Sequence, residues 1–284
     1  MPDTSTHEAA NRSYVETQLN YLVPSDEKPV YYAYDPPAGA RRSGDFEKKT
    51  VQVQDGRPML DELSLDKQGF LLTRHETAVK DFYDSKEVES GYFPEVERLL
   101  KKMTGANRVH IFDHVVRNAS PEMREEKGAR PPARTVHNDY SHKSGPQRLR
   151  GFFPDEADTL LKSRFAEINV WRPIRGPLQD TPLAVCDARS IAPEDHVASD
   201  LVYQHRVGET YRFTYNPNHS WFYFPNMQRD EALLIKCYDS KQDGRARFTA
   251  HTAFDDPSSP PNAAPRESIE IRALVFWAPE DSGR

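Results

Sequence analysis

Read for the spacing of its apolar positions, the chain changes character near its middle. In the first half apolar residues recur every three or four positions. The clearest case is Val96, Leu99, Leu100 and Met103, an i, i+3, i+4, i+7 stripe closed by Gly105 where a left-handed C-terminal residue belongs. The pattern predicts helices over 14–22, over 75–83 and from about Asp84, which with Glu87 resembles a capping box. Residues 29–44 read as an extended segment followed by a turn, and 50–54, 69–72 and 109–116 read as strands. On the last of these, Val109, Ile111 and Val115 fall on one face and His110, Phe112 and His114 on the other. A charged, Pro-containing loop over 118–134 follows, in the position of a lid.

After a short helix over 154–165, alternation with a period of two takes over. Strands are predicted over 167–174, 182–191, 219–224, 232–238, 247–254 and 268–277, with an amphipathic helix over 193–205 and a Pro/Ser/Ala-rich loop over 255–265. The last strand separates cleanly. Ile269, Ile271, Ala273, Val275 and Trp277 share one face, while Ser268, Glu270, Arg272, Leu274 and Phe276 share the other, with Arg266 in the same parity. Many strands of similar length after a helical N-terminal part predict a mainly β protein with flanking helices, built on a jelly-roll or double-stranded β-helix core. The expected organisation is a disordered stretch over 1–12 and one domain over 13–284.

Composition narrows the class. The 284 residues carry a net charge of −6 and no long Lys/Arg run, which argues against a nucleic-acid partner. No stretch approaches the ~18 apolar residues of a membrane span, and the polar N-terminus does not read as a targeting segment. Cys186 and Cys237 sit in apolar strand-like runs and read as buried thiols of a cytoplasmic protein, not as a disulfide or a zinc site.

The chemistry concentrates at 137–150. His137-Asn138-Asp139 puts an imidazole and a carboxylate on the same side of a strand. That pair is two thirds of the 2-His-1-carboxylate triad that leaves open positions on a non-haem iron. A lone His-x-Asp carries little weight. Here a second histidine, His219 or His251, and then arginines on a final strand follow it. The mixed lining offered by Tyr140, Trp171, Trp221, Arg148 and Arg172 fits a small polar or carboxylated metabolite; the blander expectation for the aromatic strand residues is core packing.

Longer blocks carry a family resemblance. They are His137-x-Asp139-Tyr140 with Ser144-Gly145-Pro146-Gln147-Arg148, Asn169-Val170-Trp171-Arg172-Pro173-Ile174, Pro182-Leu183-Ala184, His251-Thr252-Ala253-Phe254 and the run from Arg266 to Phe276. Over residues 14–277 the chain resembles the gibberellin desaturase / aspergillic-acid hydroxylase-like family of Fe(II)/2-oxoglutarate-dependent oxygenases. The resemblance implies Fe(II), 2-oxoglutarate and O2 acting on a small secondary metabolite or amino-acid-derived substrate, by hydroxylation, desaturation or oxidative ring closure such as aziridine formation. It implies His137, Asp139 and His251 as metal ligands, the distal histidine belonging on the penultimate strand, with His219 left to face the substrate. Arg266 with Ser268 resembles a clamp for the distal carboxylate of 2-oxoglutarate, and Arg272 is expected to hold the other end of the cosubstrate, nearer the metal. Two other readings keep the same barrel: a cupin-like metal enzyme without the cosubstrate, and a non-catalytic small-molecule binding protein.

Overall fold

The computed structural model describes residues 13–36, 39 and 41–278; the stretch 1–12, expected to be disordered, lies outside them. Among the described residues fourteen strands run in chain order: β1 (Tyr14–Leu22), β2 (Val30–Tyr32), β3 (Phe46–Asp55), β4 (Phe70–Arg74), β5 (Arg108–Asn118), β6 (His137–Asn138) and β7 (Phe165–Pro173). They continue with β8 (Leu183–Cys186), β9 (His196–Val202), β10 (Val207–Phe213), β11 (Trp221–Tyr223), β12 (Glu231–Asp239), β13 (His251–Ala253) and β14 (Glu267–Phe276). One curled sheet has the order β1-β3-β11-β8-β13-β6-β10-β9-β2, and a second has the order β4-β12-β7-β14-β5. Two apolar layers result. Trp171, Leu233, Leu274 and Phe276 of the smaller sheet pack with Val185, Phe213 and Trp221 of the larger one. The opposite face of the smaller sheet, Ile168, Val170, Ile269, Ile271 and Val275, is covered by Val96, Leu99 and Leu100 of the helix Phe93–Thr104. Each such side chain taken out of water contributes about 1.5–3 kcal/mol. The fold is the expected mainly β jelly roll with a flanking helix, and Gly105 closes that helix at φ 71°.

Several elements differ from expectation, each for a tertiary reason. The stretch 14–22 is strand β1, not a helix; it pairs with β3 over nine positions and buries Thr17, Leu19 and Tyr21 at a period of two. Residues 75–83 are not helical either. Carboxylates of the following helical segment hold them instead: Glu87 accepts from the backbone N–H of Lys80 (2.6 Å) and Asp81 (3.0 Å), and Glu95 from that of Ala78 (3.0 Å). Glu87 is thereby turned away from a capping box, although Asp84 does cap the Lys86 N–H. The expected helix over 193–205 is a short turn followed by β9, which forms a hairpin with the unforeseen β10. Part of the 118–134 loop is a helix, Pro121–Lys127, capped by Ser120, and the short helix expected over 154–165 is confined to Ala157–Leu160. Another helix, Ser144–Phe152, continues directly from the His-x-Asp strand.

One irregularity matters for the site. In the β5–β14 ladder Asp113 faces Arg272 and Ile111 faces Ala273, so Phe112 is an extra residue that resets the parity of β5. His110 and His114 therefore fall on opposite faces, not on one. His114 goes to the outer layer against Phe93 (ring centroids 5.7 Å), and Asp113 turns inward. No helix among the described residues is long and apolar enough to cross a membrane.

Candidate metal centre

β6 lies between β13 and β10, and its first residue, His137, is the cross-strand partner of His251 on β13. Directly opposite residues point to the same face, so the two rings meet with centroids 4.4 Å apart. Asp139 follows two residues after His137, and His137 Nε2 is 3.7 Å from Asp139 Oδ1. One ligand atom from each of His137, Asp139 and His251 falls within 4.8 Å of the others.

The outer hydrogen bonds fix how these rings are presented. His137 Nδ1–H donates to the Thr135 carbonyl (2.8 Å) and His251 Nδ1–H to the Thr249 carbonyl (2.9 Å). A neutral ring that donates through Nδ1 carries its lone pair on Nε2, and both Nε2 atoms are left for a ligand. Burial, and after it the neighbouring His251, holds His137 well below the ordinary histidine range and so in the neutral, ligating form. Burial alone would raise the Asp139 carboxyl, but the Arg272 guanidinium, the two neighbouring imidazoles and the Asn169 hydrogen bond together outweigh it and hold the group ionised well below the usual carboxylate range. Asn169 Nδ2 donates to Asp139 Oδ2 (2.8 Å) and restricts its orientation. Two imidazole nitrogens and one ionised carboxylate on one side form a donor set that fits a divalent iron with positions left open.

Arg272 is the electrostatic centre of the floor. Its Nε lies 3.2 Å from Asp139 Oδ2, its Nη2 3.0 Å from Glu270 Oε1 and its Nη1 3.2 Å from Asp113 Oδ2. Arg266 is buried; its Nε donates to Ser268 Oγ (3.0 Å), its Nη1 donates to the Thr181 carbonyl (3.0 Å), and it lies over the Trp171 ring (5.0 Å). No carboxylate pairs with its guanidinium among the described residues. Burial, and next to it the guanidinium of Arg117, pushes Arg266 down to about 9. Arg117 faces Ser268 across the β5–β14 ladder and spends one donor on the Pro131 carbonyl (2.7 Å). Two neighbouring guanidiniums, one buried and one half-buried and neither paired with a carboxylate among the described residues, are a receptor for an anion.

A cavity of about 440 Å3 opens from Asp139 and Arg272 towards the surface. Its walls are the helix Ser144–Phe152 on one side and the β9–β10 hairpin on the other. Tyr140 and Arg148 line it, as expected from the sequence. Other candidates are placed elsewhere. Arg172 projects from the outer face of β7, donates to the His75 carbonyl (3.0 Å) and lies under Phe82 and Tyr92, away from the His137/Asp139/His251 cluster. Trp171 packs in the inner core. Trp221 Nε1 donates to Tyr21 Oη (2.7 Å), Tyr21 O–H donates to His219 Nδ1 (3.0 Å), and His219 Nε2–H donates to Asp195 (3.0 Å). Every partner in that chain is satisfied by a neutral His219, which ties β1, β9 and β11 together and is not part of the metal cluster.

Acid should therefore loosen the fold. Burial is the largest cause holding both His219 and His196 below the ordinary histidine value. The unfolded chain then takes up protons first. The stability contributed by the neutral rings is complete above about 6.5 and is lost as pH falls from there towards the folded values. Urea midpoints of the metal-free protein should drop between pH 7.5 and 5.5, and the drop should be smaller in His219→Gln. An equal drop in both would remove His219 from the account.

Residues that sequence reasoning does not single out also reach the site. Asn169 shares the inward parity of Trp171 on a strand the alternation predicts, so parity could have found it. Asp113 and Arg117 could not be found that way, because the bulge at Phe112 sets their direction. The hairpin residues Leu201 and Tyr203 are hidden by the helical reading of 193–205, and Arg206 follows directly after it.

Comparison with known proteins places this geometry. A family profile described as "Oxidoreductase/YMDC permease-like domain" matches residues 19–276. The hydroxylase/desaturase CTB9 of Cercospora beticola is 35% identical over 306 aligned positions, covering 99% of this chain and 92% of that protein. The Fe(II)/2-oxoglutarate-dependent dioxygenase nvfI of Aspergillus novofumigatus is 32% identical, covering 94% of this chain and 98% of that one. Among solved structures, the iron and alpha-ketoglutarate-dependent endoperoxidase NvfI superposes with a TM-score of 0.85 at 29% identity, over 94% of this chain and 99% of that chain.

Proposed function

This chain belongs to the hydroxylase/desaturase family of Fe(II)/2-oxoglutarate-dependent oxygenases, and on that premise we propose that His137, Asp139 and His251 hold its iron. It is an oxidoreductase of secondary metabolism that uses Fe(II), 2-oxoglutarate and O2 on a small molecule. The observation that carries the site assignment is the free Nε2 of two imidazoles, each anchored through Nδ1, beside one ionised carboxylate.

Arg266 and Ser268 receive the distal carboxylate of 2-oxoglutarate, and Arg117 is the second guanidinium facing it. Arg272 already carries three carboxylates. Its role is to keep Asp139 ionised and in place, which revises the expectation that it grips the cosubstrate. When bound, the iron supplies reduction of dioxygen coupled to conversion of 2-oxoglutarate to succinate and carbon dioxide. The chain supplies the rest: ligand geometry through Thr135, Thr249 and Asn169, a water-poor floor under Tyr140, and a cavity that sets which C–H bond is presented. Hydroxylation, desaturation and ring closure then differ in the substrate seated there. Residues 13–284 are read as one unit, supported by the apolar layer that the two sheets share among the described residues. A cytoplasmic location is supported by the buried free thiols of Cys186 and Cys237. The cavity of about 440 Å3 favours a small-molecule partner, and the net charge of −6 speaks against nucleic acid and anionic membrane surfaces.

Anaerobic titration tests the reading. Fe(II) and 2-oxoglutarate added together should produce a weak visible charge-transfer band that neither produces alone. Iron binding without any effect of 2-oxoglutarate would favour a cupin-like enzyme that lacks the cosubstrate. No iron binding would leave a non-catalytic binding protein.

A further inference from the structure

The charges lining the 440 Å3 cavity are not balanced. Each of its carboxylates is occupied. Asp139 and Asp113 are held by Arg272, and Glu209 accepts from Ser141 Oγ (2.5 Å) and Lys28 Nζ (2.8 Å). Two of its guanidiniums are free. The side chains of Arg148 and Arg206 form no ion pair or hydrogen bond among the described residues. Each is parked on aromatic faces: Arg148 over Phe152 (4.6 Å) and Phe112 (4.9 Å), Arg206 over Tyr203 (4.0 Å). A guanidinium stacked in this way keeps its edge, and therefore its fork of donors, for a planar anion.

Arg148 is the charged group that bears most on the buried acid Glu167, yet the two form no ion pair. Glu167 is fully buried with both oxygens unpartnered, and burial holds it protonated well above the ordinary range. The positive charge of Arg148 is thus left to the cavity. Phe152, Leu201 and Val207 add an apolar strip to a wall that also holds Ser144, Gln147 and Thr210, and Val207 is 61% exposed.

We infer that the substrate is an organic acid with an apolar body, its carboxylate held by Arg148 and Arg206 between the helix Ser144–Phe152 and the β9–β10 hairpin. This rests on the oxygenase reading of the same site. A planar carboxylate matches the edge of a stacked guanidinium, and a phosphate monoester is the alternative that the test separates. The carboxylate at the mouth and the iron ligands at the floor place the apolar body of the acid across the reactive end.

The test uses the anaerobic enzyme loaded with Fe(II) and 2-oxoglutarate, and three probes with one body: 3-phenylpropanoate, 3-phenylpropanamide and 3-phenylpropyl phosphate. Binding is read by calorimetry or ligand-observed magnetic resonance, and loading by the visible band. The acid should bind at least tenfold more tightly than the amide and should weaken with added salt. Arg148→Gln should cost the acid at least tenfold, Arg206→Gln a few-fold, and neither should alter the amide. The band should persist in both variants, which shows that they are folded and loaded. Equal binding of acid and amide, no binding of the acid, tighter binding of the phosphate, or an unchanged acid affinity in Arg148→Gln would each overturn the inference. Absence of the band in the unmodified enzyme is a different result: it removes the oxygenase reading and leaves the acid–amide contrast to stand or fall alone.

Discussion

Alanine at His137, Asp139 or His251 should abolish turnover and iron retention together while the protein stays folded. The three residues supply the whole protein share of the donor set within 4.8 Å, and no other His/Cys/Asp/Glu cluster of this kind occurs among the described residues. Removing an outer partner of a metal ligand costs about 10–100-fold in affinity, so removing a ligand itself should cost more than about 100-fold. The fold should survive because the cluster adds little to stability when no metal is bound. His251 disfavours a charge on His137, and Arg272 keeps Glu270 and Asp113 as partners when Asp139 is lost. Iron content and a thermal melt of each variant check this. His219→Gln is the informative control: it should keep its iron and lose stability, since His219 is tied to Tyr21 and Asp195. Full activity in His251→Ala would overturn the assignment.

Arg266→Ala should raise the apparent Michaelis constant for 2-oxoglutarate far more than it lowers the maximal rate. A buried carboxylate deprived of its guanidinium partner costs on the order of 2–5 kcal/mol, equivalent to roughly 30-fold to several thousand-fold in affinity. Arg266→Lys should not restore the constant. An ammonium cannot donate to Ser268 Oγ and still present a planar pair of donors to the carboxylate. Arg117→Ala should produce the same kind of effect at smaller size, because Arg117 contributes charge without the serine partner. In the cosubstrate-free protein Arg266→Ala should be tolerated, since it relieves the repulsion between Arg266 and Arg117. An unchanged 2-oxoglutarate dependence in Arg266→Ala would remove this arginine from the cosubstrate site.

Local pattern makes the last strand legible. The period-two alternation of 268–277 assigns both faces of β14 correctly, and so brings Arg266, Ser268 and Arg272 to the inner side from spacing alone. The stripe Val96, Leu99, Leu100 with Gly105 is legible for the same reason: one helix face and one left-handed residue are properties of neighbouring positions. The His-x-Asp spacing likewise places two donors on one side of a strand.

Elements that depend on distant partners are not legible. β1 and β9 carry patterns short enough to suit a helix or a strand, and only the ladders they join, β1 with β3 and β9 with β10 and β2, decide between the two. The cavity wall built from β9 and β10 is hidden with them. The choice of His251 over His219 rests on family resemblance, and its physical cause is the β6–β13 register that sets His251 opposite His137. The inward turn of Asp113 and Arg117 hangs on one extra residue, Phe112, in the β5–β14 ladder. Sequence by itself determined the β-rich class, the faces of regular segments and the types of donor available, since these follow from spacing along one chain. Tertiary structure alone decided which donors converge and which charges go unpaired, because register and bulges arise from packing between separate segments, more than a hundred residues apart for β6 with β13 and β5 with β14.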